Sequence, residues 1–110
     1  MDDGMGEAPE DLLRRADALR DARRWVEAAH TYARYLRETP GDRGARVQYG
    51  HCLKESGDPA AALAAYREAE ALAPRDADIA LQIGHALKLL GDFEGAWRAY
   101  THALTLDPAG

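Results

Sequence analysis

Residues 77–108 read ADIALQIGHALKLLGDFEGAWRAYTHALTLDP, and most of the chain is a variation on this stretch. Its apolar and small residues recur at the spacing of a helix face, stop at Leu90-Gly91-Asp92 and resume at Phe93. Glycine accepts the left-handed conformation that ends a helix, and aspartate caps the start of the next one. The stretch therefore predicts two amphipathic helices joined by a tight turn.

The same pattern occurs twice more, each time 34 residues earlier in the chain. Gly84 corresponds to Gly50, and Tyr100 corresponds first to Tyr66 and then to Tyr32. A fixed period of this length is typical of stacked helix-turn-helix units, in which each unit covers the apolar face of its neighbour. The periodicity predicts an all-α solenoid.

Within a copy, the third one for example, the key residues are Ala80-x-x-Ile83-Gly84-x-x-Leu87, Ala96-x-x-x-Tyr100 and Pro108. This pattern resembles the tetratricopeptide repeat, and the resemblance covers residues 9–110. It implies three repeats (9–42, 43–76 and 77–110), six antiparallel helices and a right-handed superhelix. Residues 1–8 are expected to form a flexible N-terminal lead.

The first repeat departs most from the pattern. Arg15-Ala16 stands where the other repeats have Tyr49-Gly50 and Ile83-Gly84. Arg23-Arg24 replaces the glycine-aspartate pair of the turn. Terminal repeats are commonly atypical, because one of their sides faces water.

Prolines and aspartates predict where the helices begin. Pro9 and Pro59 suit a first helical turn, where the missing N–H is harmless, and Asp42, Asp58 and Asp76 are placed as N-caps. We expect one helix to begin at Pro59 and the other five to span residues 9–21, 25–38, 43–56, 77–90 and 93–106.

Gly50 and Gly84 lie inside predicted helices, where glycine costs about 1 kcal/mol relative to alanine. We interpret them as points where the paired second helix leaves no room for a side chain. Tyr66 and Tyr100 are then core residues with a polar tip. Ala96, like its equivalent Ala62, is expected where the two helices of its repeat cross.

Length and charge limit the functions to consider. A chain of 110 residues is one domain by length, and its net charge is −5. Proteins that bind nucleic acid or acidic membranes are usually basic, so both partners are disfavoured. No apolar run approaches the ~20 residues of a membrane helix. The single cysteine, Cys52, allows no internal disulfide and fits a cytoplasmic location.

The histidines and the cysteine do not predict an enzyme or a metal site. His51 and His85 occupy the same place in successive repeats, but zinc needs three or four ligands. Cys52 points about 100° away from His51 around the helix and is interpreted as a small buried residue. No nucleophile stands in a recognisable catalytic arrangement. We expect no cofactor and no catalysis.

The resemblance implies that the first helix of each repeat lines a concave face, where family members hold ligands. The matching residues form a partner-binding groove: Arg14, Asp17, Arg20, Val47, Gln48, His51, Lys54, Leu81, Gln82, His85 and Lys88, with Gly44 and Asp78 at further inward positions. Gln-His-Lys is thus repeated at three-residue spacing on one face. A stripe of this kind also suits an ordinary solvated surface, but its reuse on the face that binds ligands favours a binding function.

These residue types indicate a partner protein or peptide with acidic groups. Glutamine can pair with the backbone of an extended peptide, and Lys54 and Lys88 can pair with carboxylates. The basic clamp of chaperone-tail-binding repeats is not present, since Leu13, Asp17 and Asp78 occupy clamp positions. Gln48 and Gln82 are similar to the asparagine ladder of O-linked N-acetylglucosamine transferases, which Arg14 interrupts. An alternative is therefore an N-terminal recruitment domain of a larger bacterial enzyme such as a glycosyltransferase.

The last predicted helix carries a second candidate surface. Trp97, Tyr100 and Leu104 lie on one side of it, on the face that a following repeat would cover. Such a face needs a polar cap, a further helix or a partner. We expect the natural protein to continue past Gly110, and this isolated chain to form a homo-oligomer through its C-terminal helix.

Overall fold

The computed structural model describes residues 7–109. This part of the chain forms six helices and no strand: α1 (Pro9–Asp21), α2 (Trp25–Glu38), α3 (Arg43–Glu55), α4 (Pro59–Leu72), α5 (Ala77–Leu89) and α6 (Phe93–Leu106). The prediction of an all-α repeat architecture is confirmed. α3 and α5 end one residue earlier than expected, at the caps Ser56 and Leu90, whose N–H groups still bond back to the helix.

Each helix pair is joined by the same tight turn. Gly57 and Gly91 have φ angles of 93° and 84°, in the left-handed region that glycine favours. Asp58 and Asp92, which follow them, cap α4 and α6 by accepting a backbone N–H. In the first repeat Arg23 takes the left-handed place with φ 60°. The first repeat therefore keeps the left-handed turn residue although it lacks the glycine-aspartate pair that predicts the turn.

Successive helices pack antiparallel into an elongated body of 50 × 25 × 19 Å. One core cluster joins α1, α2 and α3 around Tyr32, and a second joins α3, α4, α5 and α6 around Tyr66. Both tyrosines are fully buried. The core is continuous because α3 contributes to both clusters.

Close approach of the paired helices explains the helical glycines. A Cβ atom built on Gly50 would lie 2.5 Å from Cε1 of Tyr66, and one on Gly84 would lie 2.5 Å from Cε1 of Tyr100. The interpretation of these glycines as contact points is confirmed. Ala62 and Ala96 are buried in the same cluster, as expected for residues at a helix crossing.

The expected N-terminal lead, residues 1–8, lies mostly outside the described residues. Glu7 is described, and its carboxylate accepts two hydrogen bonds from the guanidinium of Arg15, at 3.0 and 2.7 Å. These hydrogen bonds, with some help from the charges of Arg15 and Arg34, lower the pKa of Glu7. The chain just before α1 is thus held by arginine side chains of α1 and α2.

Candidate functional site

A groove of about 560 Å³ runs along the first helices of the three repeats. Its floor comes from α1, α3 and α5, and one edge comes from the turn between α1 and α2. We call this site the concave groove. It is lined by Arg20, Asp21, Arg23, Trp25, Gln48, His51, Lys54, Glu55, Gln82 and His85.

A tyrosine from the second helix of each repeat supports the groove from behind. The Tyr66 hydroxyl lies 2.6 Å from Nδ1 of His51, and their rings meet edge-on at 5.5 Å. His85 and Tyr100 repeat the edge-on contact at 5.6 Å. The close approach depends on Gly50 and Gly84, because each directly precedes its histidine and leaves space for the tyrosine ring.

In the first repeat, too, a tyrosine of the second helix bonds to residues of the first helix, but these residues are not histidines. The Tyr32 hydroxyl donates to the carboxylate of Asp17 and accepts a hydrogen bond from Arg20 at 3.2 Å. Ala16 is the fully buried small residue that replaces the glycine there. Burial and the bond to Asp17 raise the pKa of Tyr32, so this tyrosine stays protonated at neutral pH.

The two groove histidines are neutral at physiological pH. Burial lowers the pKa of His51 and of His85, and the positive charge of Lys54 lowers both further; Lys88 adds to the effect on His85. Burial raises the pKa of Tyr66, so its hydroxyl keeps its proton. Donation of that proton to Nδ1 of His51 requires the tautomer protonated on Nε2, which leaves an N–H donor.

The positive charges of the groove differ in whether a carboxylate of the described residues pairs with them. The guanidinium of Arg20 forms salt bridges with the carboxylates of Asp21, at 2.9 Å, and Asp17, at 3.5 Å. These two carboxylates largely compensate its positive charge. Within residues 7–109 every salt bridge is made by an arginine. Neither Lys54 nor Lys88 makes a salt bridge with another residue of this range.

Six of the eleven predicted groove residues line the concave groove: Arg20, Gln48, His51, Lys54, Gln82 and His85. The other five lie elsewhere. Arg14 is exposed and bonded to Asp11, and Asp17 is held by Tyr32. Val47 is only 9% exposed and packs in the core. Leu81 lines a separate groove at the C-terminal end, and Lys88 is exposed beside His85.

Four lining residues were not predicted from the sequence. Glu55 follows Gln48 by seven residues, and Asp21 follows Arg14 by seven, so helical spacing could have found both. Arg23 and Trp25 enter from the turn and from the first residue of α2. Their position depends on the conformation of the turn between α1 and α2, which cannot be predicted from helical spacing.

The second candidate surface is exposed, as expected from the sequence. Trp97 is 72% exposed and Leu104 is 61% exposed, while Tyr100 is half-buried. Phe93, one turn before Trp97, is also exposed. These side chains form an apolar strip along α6.

Groups suited to metal binding do not gather in the described residues. Between residues 7 and 109 there is no cluster of three or more histidine, cysteine, aspartate or glutamate residues that could hold a metal. Cys52 is fully buried, as expected, and burial raises the pKa of its thiol to about 11. No helix in this part of the chain is long and apolar enough to cross a membrane.

The Tetratricopeptide repeat model matches residues 44–76 and 77–109, more than half of the chain. The chain belongs to the tetratricopeptide repeat family. The two matched segments are contiguous and meet between residues 76 and 77. The first repeat lies outside the match, and it is the one in which Arg15-Ala16 and Arg23-Arg24 replace the family pattern.

Solved structures of MamA have the same fold. MamA AMB-1 superimposes with a TM-score of 0.89 at 16% identity, covering 94% of this chain and 62% of that one. MamA MSR-1 C2 gives a TM-score of 0.88 at 17% identity, with coverages of 93% and 59%. This tetratricopeptide repeat chain thus spans about three fifths of the MamA chains. No curated protein gives a significant sequence match.

Proposed function

We propose that this tetratricopeptide repeat chain is a protein-interaction module whose concave groove holds an extended, acidic segment of a partner protein. The observation that carries the proposal is the repeated Gln-His-Lys set on α3 and α5, five members of which line one groove. Repeats of this family and the shared fold support protein binding in general. The acidic segment is inferred from the groove chemistry.

Each element of the repeated set has a separate task in this proposal. Gln48 and Gln82 each offer a donor and an acceptor, so they bind the backbone of a peptide without reading its sequence. We assign the Tyr66 hydroxyl as the donor to Nδ1 of His51, which leaves the Nε2–H of His51 as a donor to the peptide. Lys54 and Lys88 supply the charge that selects carboxylates. Specificity for acidic side chains therefore depends on the lysines and not on Arg20, which is already paired.

The test uses two pools of fluorescent ten-residue peptides, one with glutamate at alternate positions and one with lysine there. Fluorescence anisotropy should show saturable binding of the glutamate pool only. Replacing Lys54→Glu together with Lys88→Glu should weaken that binding by about tenfold or more, because attraction becomes repulsion. Higher salt should weaken it too, since exposed charges are screened over about 8–10 Å.

The matched control is Arg37→Glu with Arg67→Glu. These arginines are exposed on α2 and α4, and the double variant has the same change in net charge. The control should bind the glutamate pool as the wild type does, and both double variants should keep wild-type helicity. Equal loss in both variants, or no saturable binding of the glutamate pool, would refute the proposal.

A further inference from the structure

The exposed strip on α6 corresponds to positions that are covered in the first repeat and half-buried in the second, where Leu63 and Glu70 stand. Trp97 is equivalent to Ala29, which is 4% exposed, and Leu104 is equivalent to Leu36, which is 5% exposed. Both equivalents are buried in the cluster to which α3 contributes. The strip is therefore an interface position of the repeat stack that has no neighbour among residues 7–109.

A groove of about 470 Å³ runs beside this strip, between α5 and α6. Leu81, Tyr100 and Leu104 provide its apolar wall, together with Ala103. In the preceding repeat, the equivalents of Leu81 and Tyr100 are Val47 and Tyr66, which pack with residues of α5. The groove thus offers an apolar wall to a helix, beside the carboxylates of Asp78 and Asp107, which also line it.

The opposite end of the molecule does not fit this surface. In α1, Asp11 and Arg15 stand where α5 has Ile79 and Ile83, the residues that pack on the preceding repeat. Arg15 is also bonded to Glu7. Head-to-tail stacking would bury these charges against an apolar surface, which is unfavourable. The N-terminal end is a polar cap, so a second copy cannot add to the stack through α1.

We propose that two copies of the chain pair through α6, antiparallel, about a two-fold axis near Tyr100 and Thr101. Antiparallel pairing about that point sets Trp97 of one copy against Leu104 of the other, and the reverse. Phe93, Trp97, Tyr100, Thr101 and Leu104 fall within one side of the helix, and none of them carries a charge. The interface closes on itself and ends growth at a dimer.

The size of the strip sets the expected strength. Fully exposed aromatic side chains offer roughly 150–250 Å² each, so the exposed parts of Phe93, Trp97 and Leu104 amount to roughly 400 Å² per copy. A standard interface buries about 800 Å² per partner. The apolar strip thus corresponds to about half of such an interface. We therefore expect a weak, reversible dimer.

Sedimentation equilibrium over a concentration range from about 5 µM to 500 µM measures this association. The wild type should fit a monomer–dimer equilibrium, and Trp97→Glu should be monomeric throughout. Val26→Glu is the matched control, because Val26 is an apolar residue of similar exposure on α2, away from the strip. A wild type that stays monomeric, that grows beyond a dimer, or that responds equally to both substitutions would overturn the proposal.

Disulfide trapping tests the orientation independently of stability. Under mild oxidation Thr101→Cys should form a covalent dimer, since the two copies of this residue meet at the axis. Thr105→Cys should not, because its two copies would lie about 13 Å apart along the helices, beyond disulfide reach. Cys52 does not compete, being fully buried with a raised thiol pKa. Equal trapping of both variants would contradict the antiparallel pairing.

Discussion

Adding one methyl group at Gly50 should destabilise the protein, although alanine is the better helix former. The new Cβ would lie 2.5 and 2.8 Å from two ring carbons of Tyr66, whereas carbon atoms prefer about 3.5–4.0 Å. Tyr66 is fully buried and bonded to His51, so its ring cannot move by the required 1 Å or so without breaking other contacts. The contact between the helices of the second repeat must open.

The expected magnitude follows from three contributions. Overpacking costs about 1–3 kcal/mol, and weakening the Tyr66–His51 bond adds about 1 kcal/mol. The better helix propensity of alanine returns about 1 kcal/mol. The free energy of unfolding of Gly50→Ala should therefore fall by about 1–3 kcal/mol. For a domain of this size, each kcal/mol lowers Tm by roughly 4–8 °C.

Two other glycines provide matched comparisons. Gly84→Ala makes the same 2.5 Å contact, but with Tyr100, which is only half-buried at the open end and can swing into the adjacent groove. The free energy of unfolding of Gly84→Ala should therefore lie within about 1 kcal/mol of the wild-type value. In Gly44→Ala the Cβ would meet only Asp42, at 3.6 Å, an ordinary contact. This variant should gain up to about 1 kcal/mol.

Urea denaturation followed by far-UV circular dichroism and by tryptophan fluorescence measures all three variants. Two signals are needed because repeat proteins can unfold in parts. The predicted order of stability is Gly44→Ala, then Gly84→Ala, then Gly50→Ala. If Gly50→Ala were as stable as Gly44→Ala, the rigid contact with Tyr66 would not exist as described.

Two further predictions concern the same core and the concave groove. Ala96 is buried in a cluster with residues of α5, so Ala96→Leu should cost about 1–3 kcal/mol through overpacking. A Tm within about 1 °C of the wild type would contradict this helix pairing. The pKa of His51 is lowered in the folded chain, mainly by burial, so the unfolded chain takes up the proton more readily. Stability should therefore fall as pH drops below about 6.5. Thermal melts between pH 7.5 and pH 5 should show a smaller loss for His51→Gln than for the wild type and for the exposed control His30→Gln; equal losses in all three would exclude His51 as the source.

The sequence by itself was sufficient for the helices and their order. Helical spacing, the turns at Gly57 and Gly91, and the aspartate caps depend on neighbours along the chain, so they can be read without a structure. The fixed period then predicts the stack, because each copy repeats the same apolar face. Even the close approach of the second helix at Gly50 could be predicted, since a glycine inside a helix requires a reason.

Only the tertiary structure decided which side chains line the concave groove and which are buried or bonded to another helix. Val47 and His51 are both inward positions by spacing, yet packing against α4 and α5 buries the first and leaves the second in the groove. Asp17 is bonded by Tyr32 from a different helix, while Trp25 reaches the groove from the turn. The physical reason is that helical spacing fixes directions around one helix axis, whereas these outcomes depend on how neighbouring helices are placed and on which of their side chains reach across.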